Sequence, residues 1–155
     1  MTPFQLFHIT CKGLIFYKDS FLLHLANDPD FYGALECPGG RVNQNELIEN
    51  ALKRELIEEI GLDLDKTKHT LELFALNQRD AAEYDWDKKT HIIEVYYKIV
   101  IPDEETFELK ALEEVSRFEW IHKEINLSAY RYKVATRKAI YEKAQHSLKK
   151  PTSLR

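Results

Sequence analysis

The stretch from Gly40 to Leu62, GRVNQNELIENALKRELIEEIGL, sets its residues at fixed spacings that read G-x5-E-x7-R-E-L-x-E-E-x-G-L. Leu52, Leu56 and Ile60 recur at helical intervals and predict a helix over residues 46–60. Winding that helix at about 100° per residue brings Glu55, Glu58 and Glu59, at i, i+3 and i+4, onto one patch. The patch shares its arc with Ile48 and Ala51 and lies beside the apolar stripe, at the edge of the core. Glu49, Asn50 and Lys53 fall toward solvent. Asn45, or Asn43 with Glu46 three residues on, is placed to cap the start. Gly61 occupies the left-handed position that ends a helix.

A glutamate-rich helix is ordinarily just a solvated face, but this one is arranged against local preference. Glu55 and Glu59 are like charges one turn apart. All three glutamates sit in the C-terminal half, where the helix dipole disfavours anions. Arg54 alone offers nearby compensation. A divalent cation would remove the conflict, and oxygen-only ligands select a hard ion, Mg²⁺ or alternatively Mn²⁺. Upstream, Pro38-Gly39-Gly40 lets the backbone approach the same patch closely.

Outward from this segment, Gln5–Tyr17 opens as a strand, with Phe7, Ile9 and Cys11 alternating against His8, Thr10 and Lys12. Phe21–Leu25 and Leu71–Leu76 read as further strands. His91–Ile101 is the clearest, with Ile93, Val95, Tyr97, Ile99 and Ile101 on one face and Glu94 and Lys98 on the other. Arg117–Ile121 repeats the alternation, burying Phe118 and Trp120. Tyr130, Val134, Tyr141, Ala144 and Leu148 predict a long C-terminal amphipathic helix. The expected fold class is α/β, a mixed sheet covered by helices on both faces. One domain is expected over residues 1–149, with residues 150–155 as a frayed tail.

With 155 residues the chain can bury a sizeable core. No run is apolar for long enough to cross a bilayer, and the N-terminus lacks the pattern of a secretory signal. Cys11 and Cys37 have no metal-type spacing and read as free buried thiols in a reducing cytoplasm. A net charge of −4 argues against a broad nucleic-acid surface. The six histidines show no ligand spacing.

The spaced residues of Gly40–Leu62 are the complete signature of the Nudix hydrolases, and by it the chain is identified as resembling that family. The resemblance implies an α/β/α sandwich around a central mixed sheet. It also implies hydrolysis of a nucleoside diphosphate linked to another group, by attack of water on phosphorus. In that light Glu55, Glu58 and Glu59 hold the metal, with the backbone carbonyl of Gly39 assisting. Arg54 orients a signature glutamate, and Glu46 fixes the helix. The proton acceptor is either Glu55 or a loop acid before a late strand, and Glu114 is the favoured candidate. Relatives carry an arginine near the end of the second strand that meets substrate phosphates. This chain has Leu25-Ala26-Asn27 there, and Arg41, Arg79 and Lys12 are the candidates to substitute.

The downstream positions 75–80, ALNQRD, contain neither the proline of ADP-ribose enzymes nor the tyrosine of dinucleoside polyphosphate enzymes. DPDFY at 28–32, with EEVSRFEW and RKAI, is similar to dihydroneopterin triphosphate pyrophosphohydrolases. Tyr84 and Trp86, in the loop 81–89, are candidates to stack on a base or pterin ring. The resulting expectation is a Mg²⁺-dependent pyrophosphohydrolase of a nucleoside triphosphate or similar small organic triphosphate. Its rivals are a nucleoside diphosphate sugar or ADP-ribose pyrophosphatase and, from another class, a nucleotide-sensing module without turnover. The expected partner is the small-molecule substrate, with no membrane and no nucleic acid. The resemblance is compatible with a homodimer.

Overall fold

His91–Ile101 organises the molecule. In the computed structural model, which describes residues 3–80 and 90–149, this segment is strand β6 of a seven-stranded mixed sheet. The other strands are β1 (Phe7–Tyr17), β2 (Ser20–Ala26), β3 (Leu35–Glu36), β4 (Gly39–Arg41), β5 (Thr70–Arg79) and β7 (Val115–Ile121). β6 runs parallel to β1 along its whole length and antiparallel to β5. β1 then divides its other edge. Thr10–Lys12 pair with β4 and Ile15–Tyr17 with β2, both antiparallel. β2 also carries β3 and β7.

Helices α1 (Ile48–Ile60) and α2 (Arg137–His146) pack on opposite faces, as two separate clusters demonstrate. Cys11, Ile15 and Ile99 meet Leu52, Leu56 and Ile60 of α1. Leu14, Phe16 and Tyr96 meet Tyr141 and Ala144 of α2. The α/β sandwich expected from the sequence is therefore present, and among the described residues no helix is long and apolar enough to cross a membrane. Cys11 and Cys37 are free and buried.

Several expectations change. The α1 start is not capped by Asn45 or Asn43. Leu47 holds the capping position without a side-chain bond, and Asn45 adopts φ 64°. Glu46 Oε1 instead accepts the Asn43 N–H at 3.0 Å, and the rest of its carboxylate is taken by Arg54. The other end is as expected. Gly61 has φ 69°, its N–H reaches the Ile57 carbonyl, and the Leu62 N–H reaches that of Leu56.

β5 is longer than Leu71–Leu76, because β6 supplies pairing partners as far as Arg79. The long C-terminal helix shortens to α2. Arg131 forms a bridge with Ala34 and gives its carbonyl to the Leu35 N–H at 2.8 Å, so Tyr130 and Val134 precede the helix. Phe118 and Trp120 are half-buried against the α1 cluster. The face of β6 that carries Glu94 is interior as well, and Glu94 is fully buried. The proposed tail at 150–155 lies outside the described residues.

Candidate active site

The carboxylates of α1 are held by what surrounds Arg54. Its Nε and Nη2 donate to the two oxygens of Glu46, each at 2.9 Å. Its Nη1 reaches Glu55 Oε1 at 2.8 Å and Glu58 Oε2 at 3.2 Å, and Nη2 also bonds the Arg41 carbonyl at 3.0 Å. This fork holds Glu46 far below the usual carboxylate range, at about 2, first through hydrogen bonding and then through the Asn43 N–H. Arg54 thus ties the entry segment, the helix and β4 into one piece.

Glu59 points inward and accepts the Gly39 N–H at 2.9 Å. Burial pushes its pKa up to about 7, while Lys12 and the Gly39 N–H pull it down and Glu55 and Glu114 add to the rise. Burial raises Glu55 too, against the pull of Arg54. The glycines make this approach feasible. A Cβ on Gly40 would stand 2.4 Å from the Glu55 carboxyl carbon, and one on Gly39, at φ 144°, only 2.0 Å from the Cys11 carbonyl oxygen.

These groups form one wall of a cavity of about 470 Å³. Glu113 and Glu114, just before β7, continue the acidic wall, while Lys12, Arg41, Arg79, Lys133 and Arg137 bring positive charge around it. The segment leading to Glu114 is stitched to the end of α1. The Lys110 N–H donates to the Ile60 carbonyl at 2.9 Å and the Leu112 N–H to the Glu59 carbonyl at 3.1 Å. The Glu114 carbonyl in turn accepts the Asn27 N–H at 2.7 Å.

The cavity thus brings together Gly39, Arg41, Glu55, Glu58, Glu59, Arg79 and Glu114, all singled out from the sequence. Arg54 stands behind it, bonded to Glu55 and Glu58. Tyr84 and Trp86 lie outside the described residues. Among the described residues, no three His, Cys, Asp or Glu side chains are gathered into a ligand cluster. Glu55 and Glu58 are turned to Arg54, and Glu59 to Gly39. The donor set is nevertheless all oxygen, anionic and partly desolvated, which suits a hard divalent ion. The group seen from Gly39 is its N–H, bonded to Glu59.

Sequence reasoning did not find Glu36, His24, Glu94 or Arg137. Arg137 Nε donates to Glu94 Oε2 at 2.9 Å, Arg137 Nη2 donates to the same oxygen, and Arg137 Nη1 lies 3.7 Å from Glu36 Oε1. Asn77 and Tyr96 complete the shell of Glu94 at 2.9 and 3.1 Å. His24, 4.0 Å from Glu59, is pushed down to about 4 by burial and is neutral. The missed signal was a charge set within an apolar strand that is covered on both faces.

Comparison with known proteins bears on the family and the fold. The NUDIX domain family matches residues 11–142. The 8-oxo-dGTP diphosphatase of Haemophilus influenzae is 35% identical over 80 residues, 52% of this chain and 51% of that protein. The chain therefore matches about half the length of that curated relative. Among solved structures, the E. coli ORF135 protein superposes with a TM-score of 0.71 at 22% identity, covering 94% of this chain and 96% of that one. The E. coli dihydroneopterin triphosphate pyrophosphohydrolase gives a TM-score of 0.69 at 15% identity, with coverages of 90% and 96%. At such identities the structural likeness establishes the fold.

Proposed function

Because this chain belongs to the NUDIX domain family, we propose that it is a pyrophosphohydrolase cleaving a nucleoside triphosphate, or similar small organic triphosphate, to a monophosphate and pyrophosphate, with Mg²⁺ or Mn²⁺ as cofactor. The observation that carries this reading is the placement of Glu55, Glu58 and Glu59 on one wall of a cavity that also holds Lys12, Arg41 and Arg79. The 8-oxo-dGTP diphosphatase relative supports a nucleoside triphosphate over a nucleotide sugar. The catalytic unit is the single domain over residues 1–149, and two free buried thiols favour the cytoplasm.

Glu55, Glu58 and Glu59, with the Gly39 carbonyl, would hold the metal, which when bound offsets phosphate charge and acidifies water. The chain's own groups do the rest. Arg54 sets the direction of the Glu55 and Glu58 carboxylates. Arg41 and Arg79 grip phosphate oxygens. Glu114, which lines the same cavity as Glu59, accepts the proton of the attacking water as its oxygen bonds to phosphorus. The P–O bond to the departing pyrophosphate breaks in the same displacement. A carboxylate with raised pKa beside the site, Glu55, is the alternative acceptor.

The test is a panel of triphosphates and nucleotide sugars with Mg²⁺, assayed in parallel with inorganic pyrophosphatase and with alkaline phosphatase. Phosphate in the pyrophosphatase arm is expected. Signal in the phosphatase arm alone would transfer the reading to a nucleoside diphosphate sugar or ADP-ribose. Glu58→Gln should lower kcat by about a hundredfold or more while preserving the fold, and unimpaired turnover would remove Glu58 from the metal site.

A further inference from the structure

Lys12 differs from every other cation of the cavity. It is 7% exposed, and its Nζ makes one hydrogen bond, to the neutral carbonyl of Cys37 at 3.3 Å. An ammonium group carries more donors than that single bond uses, and burying it without an anionic partner is costly. Three neighbouring cations are already engaged. Arg54 is spread over Glu46, Glu55 and Glu58, Arg137 is bonded to Glu94, and Lys133 lies 3.6 Å from Asp28 and over the ring of Phe31.

The strand places Lys12 where two anions compete for it. Cys11 and Ile15 of β1 enter the α1 cluster, whereas Leu14 and Phe16 enter the α2 cluster. By alternation Lys12 leaves β1 on the α2 side, at the β1–β4 pair whose Gly39 and Gly40 touch Glu59 and Glu55. Its charge is felt by both carboxylates, yet it forms an ion pair with neither. With the carboxylates occupied by a divalent ion, that compensation ends and the Lys12 donors face the cavity without an anion. A phosphate oxygen is the chemistry that satisfies them.

We propose that Lys12 couples metal loading to substrate binding: it offsets Glu55 and Glu59 in the metal-free protein and turns to a substrate phosphate once a divalent ion sits on them. This rests on the phosphoanhydride-hydrolase reading of the same cavity. It requires Lys12 to act on the two ligands in opposite senses, opposing the metal and favouring the phosphate.

The experiment compares the parent with Lys12→Met and Lys12→Arg. Mn²⁺ affinity is measured without substrate by electron paramagnetic resonance. Affinity for imidodiphosphate with Mg²⁺ present is measured by calorimetry. Lys12→Met should bind Mn²⁺ about threefold tighter or more and imidodiphosphate about tenfold weaker or more, while Lys12→Arg keeps most of the phosphate affinity. Both affinities unchanged, or both falling together, would overturn the proposal. If Lys12→Met fails to fold, Lys12→Gln carries the same comparison. The substrate panel fails independently: a parent that releases no pyrophosphate, yet shows the opposed shifts with imidodiphosphate, loses the triphosphate reading and keeps Lys12.

Discussion

Glu59 and Glu94 are both interior carboxylates, 8% and 0% exposed, and both stand close to the cavity. Burial pushes each toward the protonated form, but only Glu59 follows, rising to about 7. Glu94 ends at about 2 because the Arg137 guanidinium, with Lys12 and Asn77 behind it, outweighs the burial. Depth is common to both, so partnership decides. Glu94 has a guanidinium bonded to it and further donors in Asn77 and Tyr96, and it serves the architecture. Glu59 has one backbone N–H and the field of a lysine it does not touch. A buried carboxylate left so short of partners either keeps its proton or is met by a cation, and a divalent ion is what its neighbours suit.

The contrast can be broken most forcefully from the Glu94 side. Arg137→Met should strand a buried anion and cost about 3–5 kcal/mol, read from urea unfolding. Adding Glu94→Gln should recover much of it, and simple additivity of the two losses would contradict the pairing. The stabilising contribution of Glu94, whose pKa is depressed, is present above the ordinary carboxylate range and disappears as pH falls toward 2.

Glu59 carries the reverse sign. Its folded pKa is raised, so the metal-free folded state holds an extra proton in the window between the ordinary carboxylate value and about 7. Stability should fall as pH rises through that window. In chelator, Glu59→Gln should therefore be more stable than the parent by on the order of 1–3 kcal/mol near pH 8. Near pH 4 the two should melt together. A parallel offset at both pH values would mean that ionisation of Glu59 costs the fold nothing.

The smallest effect should come at the partly open end of the same network. Glu46→Gln removes the bidentate partner of Arg54 without touching the interior. A fall in kcat of about threefold to tenfold is expected, with little change in melting temperature. An unchanged kcat would show that Glu55 and Glu58 alone orient the guanidinium.

The same contrast marks what the sequence could reveal. The span of β6 and the apolar stripe of α1 were legible because periodicity reports burial, and Gly61 because its backbone role needs a left-handed residue. The three glutamates of α1 could be read because their helix is amphipathic and a strip of it faces the cavity. Glu94 and Lys12 were placed on the polar side of their strands, opposite the apolar face. Alternation separates the two sides of a sheet, and helices were expected on both, but it does not say which charged residue of the polar side is buried or what partner meets it there. The α1 cap and the start of α2 escaped for another reason. Each is set by a distant partner, Arg54 for Glu46 and Ala34 for Arg131, and no local propensity carries that information.

One consequence concerns the two amides that join the 110–112 segment to the last turn of α1. They bond the carbonyls of Glu59 and Ile60, which the helix itself leaves without a donor, so the strand of chain that delivers Glu114 is anchored on the helix end that bears Glu59. The proposed proton acceptor and an inward metal-ligand candidate are therefore tied together through the backbone, by two hydrogen bonds that involve neither side chain. The same two bonds that satisfy the helix end thus also set the spacing between the carboxylates among which the attacking water would be deprotonated.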